Sequence, residues 1–313
     1  MKYSELGTSG MNASCTALGV MRMNSKTAEE SAQIVRTALD GGVNFFDTAD
    51  CYTHGESSRH FGQALQDLKV DRSKIYVQTK VGIHRDTDSD DQANRYDFTK
   101  QYLVDQVNSE LKNLQTDYVD SVLLHRPDQL MELEQIAEAF DELQNSGKVR
   151  HFGVSNFSPM QVEMLQSGLD QKLEVNQLQF GLGHTGMVRQ EMHVNMTDAP
   201  SVDHDGGLIS YSRLRHMTIQ AWSPFQFGFF EGVFIDNPKF PELNEVMQRV
   251  ADAHGVTKNA IAVAWILRHP AHMQVLLGSM TPSRLTEMVA GADVELSAQE
   301  WYDLYFAAGN DLP

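Results

Sequence analysis

Strand-like and helix-like segments alternate along the whole chain, and this alternation limits the possible folds more than any other feature. Runs of β-branched and aromatic residues predict strands, and the segments between them carry apolar residues at helical spacing. The predicted strands are 18–20, 43–47, 75–80, 120–125, 149–154, 173–178, 218–222 and 274–277, and the predicted helices are 32–39, 57–68, 99–114, 131–144, 158–167, 207–215, 241–268 and 281–291. Eight such units with right-handed crossovers predict an α/β fold, a closed (β/α)8 TIM barrel rather than an open sheet.

The chain is expected to form one domain over residues 1–313. Barrels of about 250 residues are commonly a single domain, and neither a linker nor an internal repeat interrupts the sequence. Residues 1–15 predict two short strands around the turn at 7–10. A further helix at 298–308 follows the eighth unit, and we expect it across the outside or the mouth of the barrel.

Charge and cysteine content exclude several classes of function. A net charge of -17 and a pI near 5.0 argue against nucleic acid or an anionic membrane as a partner. Cys15 and Cys51 offer no disulfide framework, which fits a reducing compartment. The first residues lack the apolar core of a signal peptide, and no stretch approaches the about 18 apolar residues of a membrane span. We therefore expect a soluble, cytoplasmic protein.

Ionisable residues end three successive predicted strands. Asp47 ends one strand and Tyr52 follows five residues later, Lys80 ends the next strand, and His125 ends the third. Each residue alone also has a purely structural interpretation. These are a helix cap for Asp47, packing at the barrel rim for Tyr52, surface charge for Lys80 and a hydrogen-bonded core residue for His125. Because the carboxyl ends of barrel strands meet on one face, the four together indicate an active site.

These residues resemble the catalytic tetrad of the aldo-keto reductase superfamily. The resemblance extends to residues 147–157, 175–177, 221–224 and 278–279. Within the superfamily, residues 124–128 and 147–157 most resemble those of the bacterial YdhF-type oxidoreductases. In this family an N-terminal hairpin closes the bottom of the barrel. The resemblance implies NADPH-dependent reduction of a small-molecule aldehyde or ketone. The family's commonest form is a monomer, which we expect here while an oligomer stays open.

Carbonyl reduction explains why such a tetrad is needed. Hydride arriving at the carbonyl carbon leaves negative charge on oxygen, which requires a proton donor and hydrogen-bond donors. We expect Tyr52 to be the acid and the Lys80 ammonium to lower its pKa. Asp47 would hold Lys80 through an ion pair, and His125 would orient the substrate oxygen.

The cofactor residues follow from the resemblance. Ser155, Asn156 and Gln177 match the residues that bond the nicotinamide carboxamide, and Trp222 matches the aromatic side chain under the nicotinamide ring. The remaining cofactor candidates are Arg22, Asp47, Ser223, Pro224, Phe225, Gly278, Ser279, Thr281, Arg284 and Glu287. Ser279, Thr281 and Arg284 indicate a 2′-phosphate and hence NADPH. Gly278 and Met288 depart from the lysine and asparagine that many family members carry.

Several alternatives stay open. The superfamily includes potassium-channel β subunits, so a cofactor sensor with slow turnover is the main alternative, and a metal-dependent barrel enzyme is less favoured because the strand ends lack clustered ligands. Cys51 is either an oxidation site or, as we favour, a packed thiol. The acidic run at 86–91 is a weak candidate for calcium binding. His184, His193 and His204 suggest a metal, but an exposed polar loop at 182–206 is favoured. We expect no metal site.

Overall fold

The computed structural model describes residues 1–85 and 95–313. The strands are β1 (Tyr3–Glu5), β2 (Asn12–Ser14), β3 (Thr16–Gly19), β4 (Phe45–Asp47), β5 (Tyr76–Val81), β6 (Ile83–His84), β7 (Arg95–Tyr96), β8 (Val119–Leu124), β9 (Val149–Ser155), β10 (Leu173–Gln179), β11 (Thr218–Trp222), β12 (Gln226–Phe227), β13 (Gly232–Val233) and β14 (Gln274–Leu277). The helices are α1 (Ala28–Asp40), α2 (Glu56–Asp67), α3 (Lys100–Leu114), α4 (Leu133–Asn145), α5 (Pro159–Gln166), α6 (Gly186–Met192), α7 (Leu208–Arg215), α8 (Pro241–His254), α9 (Lys258–Leu267), α10 (Pro282–Ala290) and α11 (Ala298–Ala307). Within the described ranges, none of these helices has the length and apolar composition that crossing a bilayer requires.

Eight parallel strands close into a barrel, which confirms the predicted fold. Their order around the barrel is β3, β4, β5, β8, β9, β10, β11, β14 and back to β3, and it follows the order of the chain. Helices connect consecutive strands, and each buries an apolar face against the strands and the neighbouring helices. All eight carboxyl ends therefore open on one face of the molecule.

The hairpin of β1 and β2 closes the opposite face, at the amino ends of the barrel strands. The Gly7 N–H donates a hydrogen bond to Thr218 Oγ1 over 2.8 Å, and the Ser14 N–H donates one to Asn44 Oδ1 over 2.7 Å. Leu6 and Met11 are buried in the barrel interior with apolar side chains of the strands. These contacts confirm the predicted hairpin and its place.

The single helix predicted over 241–268 is wrong, because the structure has α8 and α9 there. Gly255 has a φ of 65°, a left-handed conformation that glycine adopts without a steric penalty. The N–H of Val256 then bonds the carbonyl of Ala251 over 3.0 Å, an arrangement typical of a helix end. Gly255, with the helix-capping Thr257 two residues later, was the available signal for this break.

The C-terminal helix α11 packs on the outside of the barrel. Trp301 stacks on Trp265 of α9 with ring centres 5.0 Å apart. Each indole N–H donates a hydrogen bond to the carbonyl of the other tryptophan, over 3.1 and 3.0 Å. Of the two predicted positions, the outside is therefore correct.

Residues 182–206 are more ordered than the exposed polar loop that we predicted. They contain α6, whose Met187 and Val188 are buried in the core. His193 is also fully buried, with Nδ1 2.7 Å from Asp198 Oδ2. Among the described residues, His184, His193 and His204 do not gather into a metal-binding group. The acidic run at 86–91 lies outside the described residues.

A close helix contact gives a stability prediction. A Cβ added to Gly62 in α2 would lie 2.7 Å from the backbone of Asn113 and Leu114 at the end of α3. Gly62→Ala should therefore lower the free energy of unfolding by about 1–3 kcal/mol, as overpacked substitutions do. Urea unfolding followed by circular dichroism measures this change.

Gly186 in α6 is the matched control, because a Cβ added there meets no described atom within 4 Å. Gly186→Ala should leave the unfolding midpoint unchanged or raise it slightly. Equal effects of the two substitutions would show that the contact between α2 and α3 does not depend on glycine.

Candidate active site

A cleft of about 1400 Å³ opens at the carboxyl ends of the barrel strands. All residues indicated by the sequence, except Lys80, line it: Arg22, Asp47, Tyr52, His125, Ser155, Asn156, Gln177, Trp222, Ser223, Pro224, Phe225, Gly278, Ser279, Thr281, Arg284 and Glu287. Lys80 lies just beneath the cleft floor, where its side chain is almost completely buried. The structure thus brings the whole predicted set to one place.

A buried ion pair forms the floor of the cleft. Asp47 ends β4 and Lys80 lies in the neighbouring β5, so the two side chains meet inside the barrel. Lys80 Nζ donates hydrogen bonds to Asp47 Oδ2 over 2.6 Å and to the carbonyl of Thr48 over 2.7 Å. Burial alone would lower the pKa of Lys80, but the Asp47 carboxylate and Tyr52 raise it above its usual value. Lys80 therefore carries a positive charge.

Buried glutamine amides surround the other oxygen of Asp47. Gln78 and Gln177 each donate from Nε2 to Asp47 Oδ1, over 2.7 and 3.0 Å. The same two amides donate to Gln220 Oε1 over 2.8 and 3.0 Å. The carboxylate is thus satisfied on both oxygens, and its orientation is fixed by groups from β5 and β10.

Tyr52 stands above this ion pair in a tight turn after β4. The turn is held by left-handed backbone conformations at Thr53 and His54, with φ of 48° and 52°. Lys80 Nζ lies 5.1 Å from the centre of the Tyr52 ring. Burial raises the pKa of Tyr52 to about 12, although the Lys80 charge acts to lower it. Lys80 thus acts on this pKa in the expected direction, but burial outweighs its charge and the net shift is upward.

His125 follows β8 and meets Tyr52 edge to face, with ring centres 5.8 Å apart. Burial lowers the pKa of His125 well below its usual value, and the charges of Lys80, Arg126 and Arg85 lower it further. The imidazole is therefore neutral at physiological pH. Its Nδ1 lies 3.5 Å from the sulfur of Cys51. Burial raises the pKa of that thiol to about 12, which favours the interpretation of Cys51 as a packed thiol.

Polar groups and the Trp222 ring, from β9, β10 and β11 and the turns that follow them, form one wall of the cleft. The Trp222 N–H donates to Asn156 Oδ1 over 3.1 Å, and Asn156 Nδ2 donates to Ser155 Oγ over 2.7 Å. Ser155 Oγ in turn donates to the carbonyl of Gln177 over 2.9 Å. Asn156 is held at a φ of 64°, which turns the backbone after β9 into the cleft. These bonds set the indole ring and a row of amide and hydroxyl groups side by side.

The far end of the cleft is formed by β14 and the first turn of α10. Pro282 starts this helix, and Arg284 lies in its first turn. The free backbone N–H groups of a helix start attract anions, and a guanidinium adds to that attraction. Glu287 is bonded by Asn259 Nδ2 over 2.7 Å. This end of the cleft suits a phosphate group.

Some residues of the site were not identified from the sequence. Gln78 and Gln220 were missed, since a single glutamine in an apolar strand does not reveal which way it faces. Arg85 and Arg126 also line the cleft without having been assigned a role. The position of Arg126, directly after His125, was the available signal.

Comparison with known proteins identifies the family. A family model described as "Aldo/keto reductase family" matches residues 16–305. The 6-dehydroglucose reductase of Novosphingobium aromaticivorans is 30% identical, over 99% of this chain and 97% of that protein. Oxidoreductase YdhF of Escherichia coli is also 30% identical, over 92% of this chain and 90% of YdhF.

A solved structure shares the fold. The aldo-keto reductase from Klebsiella pneumoniae, crystallised in complex with NADPH, superimposes with a TM-score of 0.78 at 22% identity, covering 99% of this chain and 96% of that one. The barrel is thus common to both proteins. Together with the family match over nearly the whole chain, this places the protein among known oxidoreductases: the chain belongs to the aldo/keto reductase family.

Proposed function

We propose that the protein reduces an aldehyde or ketone to an alcohol with NADPH as the hydride donor. The observation that carries this proposal is the buried Lys80–Asp47 pair beneath Tyr52, with the His125 ring edge to face against Tyr52 in the same cleft. A proton donor, a neutral hydrogen-bond donor and a fixed positive charge are what the developing negative charge on a carbonyl oxygen requires.

Tyr52 is the proposed general acid. Its raised pKa keeps the phenol protonated at neutral pH, so the proton is available when the substrate oxygen becomes negative. The phenolate left behind lies next to the Lys80 ammonium, which stabilises it. Asp47 holds that ammonium in place. His125, being neutral, donates an N–H to the substrate oxygen and orients the carbonyl.

The wall formed around Trp222 is proposed to hold the nicotinamide. Ser155, Asn156 and Gln177 offer hydroxyl and amide groups to the carboxamide, and the Trp222 ring offers a face for stacking. Because the Gln177 NH₂ group is occupied by Asp47 and Gln220, its Oε1 is the atom left to accept a hydrogen bond. Bound there, NADPH supplies the hydride.

The start of α10 is proposed to hold the adenosine 2′-phosphate, and Ser223, Pro224 and Phe225 to flank the pyrophosphate. Arg284, Ser279 and Thr281 line this end of the cleft, and Arg22, in the loop after β3, lines the same cleft and is proposed to contact the cofactor. Gly278 supplies no charge and Met288 is buried. The preference for NADPH over NADH therefore depends on Arg284 and on the helix start.

The alternative function, a cofactor sensor with slow turnover, uses the same cleft. It requires tight NADPH binding but no efficient proton donor. The protonated Tyr52 above a charged Lys80 favours the enzyme. Turnover measurements separate the two.

Tyr52→Phe tests the role of the phenol. Loss of the general acid should reduce NADPH oxidation with aromatic aldehydes, dicarbonyls and quinones by about 10²–10⁴-fold. The dissociation constant for NADPH, measured by fluorescence titration, should stay unchanged because the ring remains in place.

Tyr211→Phe is the matched control, since the Tyr211 hydroxyl bonds Glu163 away from the cleft. It should retain full turnover. A fall of turnover and NADPH affinity together in Tyr52→Phe would contradict the acid role. Tight NADPH binding by the wild type without turnover of any carbonyl would favour the sensor.

The pH dependence gives a second test. The reactive forms are protonated Tyr52, with a pKa of about 12, and neutral His125, whose pKa is lowered well below its usual value. Neither group changes its charge between about pH 6 and about pH 9, so kcat/KM for reduction of a neutral aldehyde should be flat there. Steady-state kinetics in overlapping buffers measures the profile. A loss of activity with an apparent pKa near 7 would contradict these protonation states.

A further inference from the structure

Two arginines lie at the end of the cleft where the tetrad is. Arg126 follows His125 directly, and Arg85 follows β6. Both line the cleft, and both are close enough to His125 for their charges to lower its pKa. The guanidinium carbon of Arg126 lies 5.9 Å from the centre of the Trp222 ring. The cleft therefore carries two positive charges beside the reacting groups.

Neither Arg85 nor Arg126 forms an ion pair with any residue in the described part of the chain. Most arginines outside the cleft bond a carboxylate: Arg59, Arg72, Arg95, Arg150, Arg189, Arg215 and Arg249. Within residues 1–85 and 95–313, no carboxylate pairs with Arg85 or Arg126 and competes with a ligand for their guanidinium groups.

In the proposed function the cofactor contacts other arginines, Arg284 at the phosphate end and Arg22 in the loop after β3. Arg126 instead follows His125 in the chain, and Arg85 lines the same cleft, near enough for its charge to lower the pKa of His125. The cleft also carries Phe229 and Phe230, which are 68% and 45% exposed and offer an apolar surface. A substrate there meets aromatic rings and two guanidinium groups at once.

We propose that the substrate is an aldehyde or ketone that carries a carboxylate, which Arg126 and Arg85 bind while the carbonyl faces Tyr52 and His125. This rests on the proposed carbonyl reduction. A planar guanidinium matches a carboxylate with two parallel hydrogen bonds, so it fixes the orientation of the substrate as well as adding affinity. The positive cleft in an otherwise acidic protein also draws anions toward the tetrad.

A matched pair of substrates tests whether the enzyme prefers an aldehyde that carries a carboxylate. 4-Formylbenzoate and its methyl ester carry the same aldehyde on the same ring, and only the first is negatively charged. Because charge-assisted hydrogen bonds are strong, kcat/KM of the wild type should be at least about tenfold higher for the carboxylate. Most of this difference should lie in KM, and it should shrink as salt is added.

The arginine variants test whether these residues cause the preference. In Arg126→Gln and Arg85→Gln the ratio of the two kcat/KM values should fall toward one, and Arg126→Lys should retain part of it. Arg36→Gln is the control, since Arg36 lies on α1 outside the cleft. Thermal unfolding of each variant checks that the fold is kept. The dissociation constant for NADPH is measured alongside.

The outcomes are distinguishable. Equal kcat/KM for the two substrates in the wild type overturns the carboxylate preference and leaves the reductase function standing. Weaker NADPH binding in Arg126→Gln, with the ratio unchanged, assigns this arginine to the cofactor and also overturns the inference. If neither aldehyde is reduced, carbonyl reduction itself fails and the substrate inference falls with it.

Discussion

The buried pair of Lys80 and Asp47 is the interaction on which the rest of the site depends. Taking two charges out of water costs several kcal/mol per ion, and only close pairing with further hydrogen bonds compensates for it. Here the Lys80 nitrogen lies 2.6 Å from one oxygen of Asp47, and glutamine amides bond the other. Because removing one partner of such a pair typically costs about 3–5 kcal/mol, the chemistry of the cleft and the stability of the barrel are linked.

The amides beneath the pair form a directional chain that starts at the N-terminal hairpin. Gln274 donates to the carbonyl of Ser14 over 2.8 Å, and Gln220 donates to Gln274 over 2.7 Å. Because the Ser14 carbonyl can only accept, Gln274 must donate to it from its NH₂ group and offer its Oε1 to Gln220. Gln220 in turn accepts at its own Oε1 from the NH₂ group of Gln177. The same NH₂ group of Gln177 donates to Asp47. The hairpin therefore closes the barrel and also orients the groups that hold the charged residues.

The sequence predicted the barrel and most of the cleft because topology alone collects strand ends on one face. Lys80 and His125 could be placed in this way without any knowledge of contacts. The net pKa shift of Tyr52 could not be predicted, because it depends on how deeply the ring is buried after folding. The role of Gln220 could not be predicted either, since it depends on hydrogen bonds to side chains of other strands. The helix break at Gly255 could have been predicted, since a glycine within a polar stretch is a common helix end.

The most direct test of the account is a double-mutant cycle on Asp47 and Lys80. If the two act as one unit, Asp47→Asn with Lys80→Met should lose about as much kcat/KM as either substitution alone. The double variant should also unfold at a higher temperature than either single variant, because neither charge is left buried without its partner. Losses of kcat/KM that multiply in the double variant would contradict the claim that this ion pair acts as one unit in the chemistry.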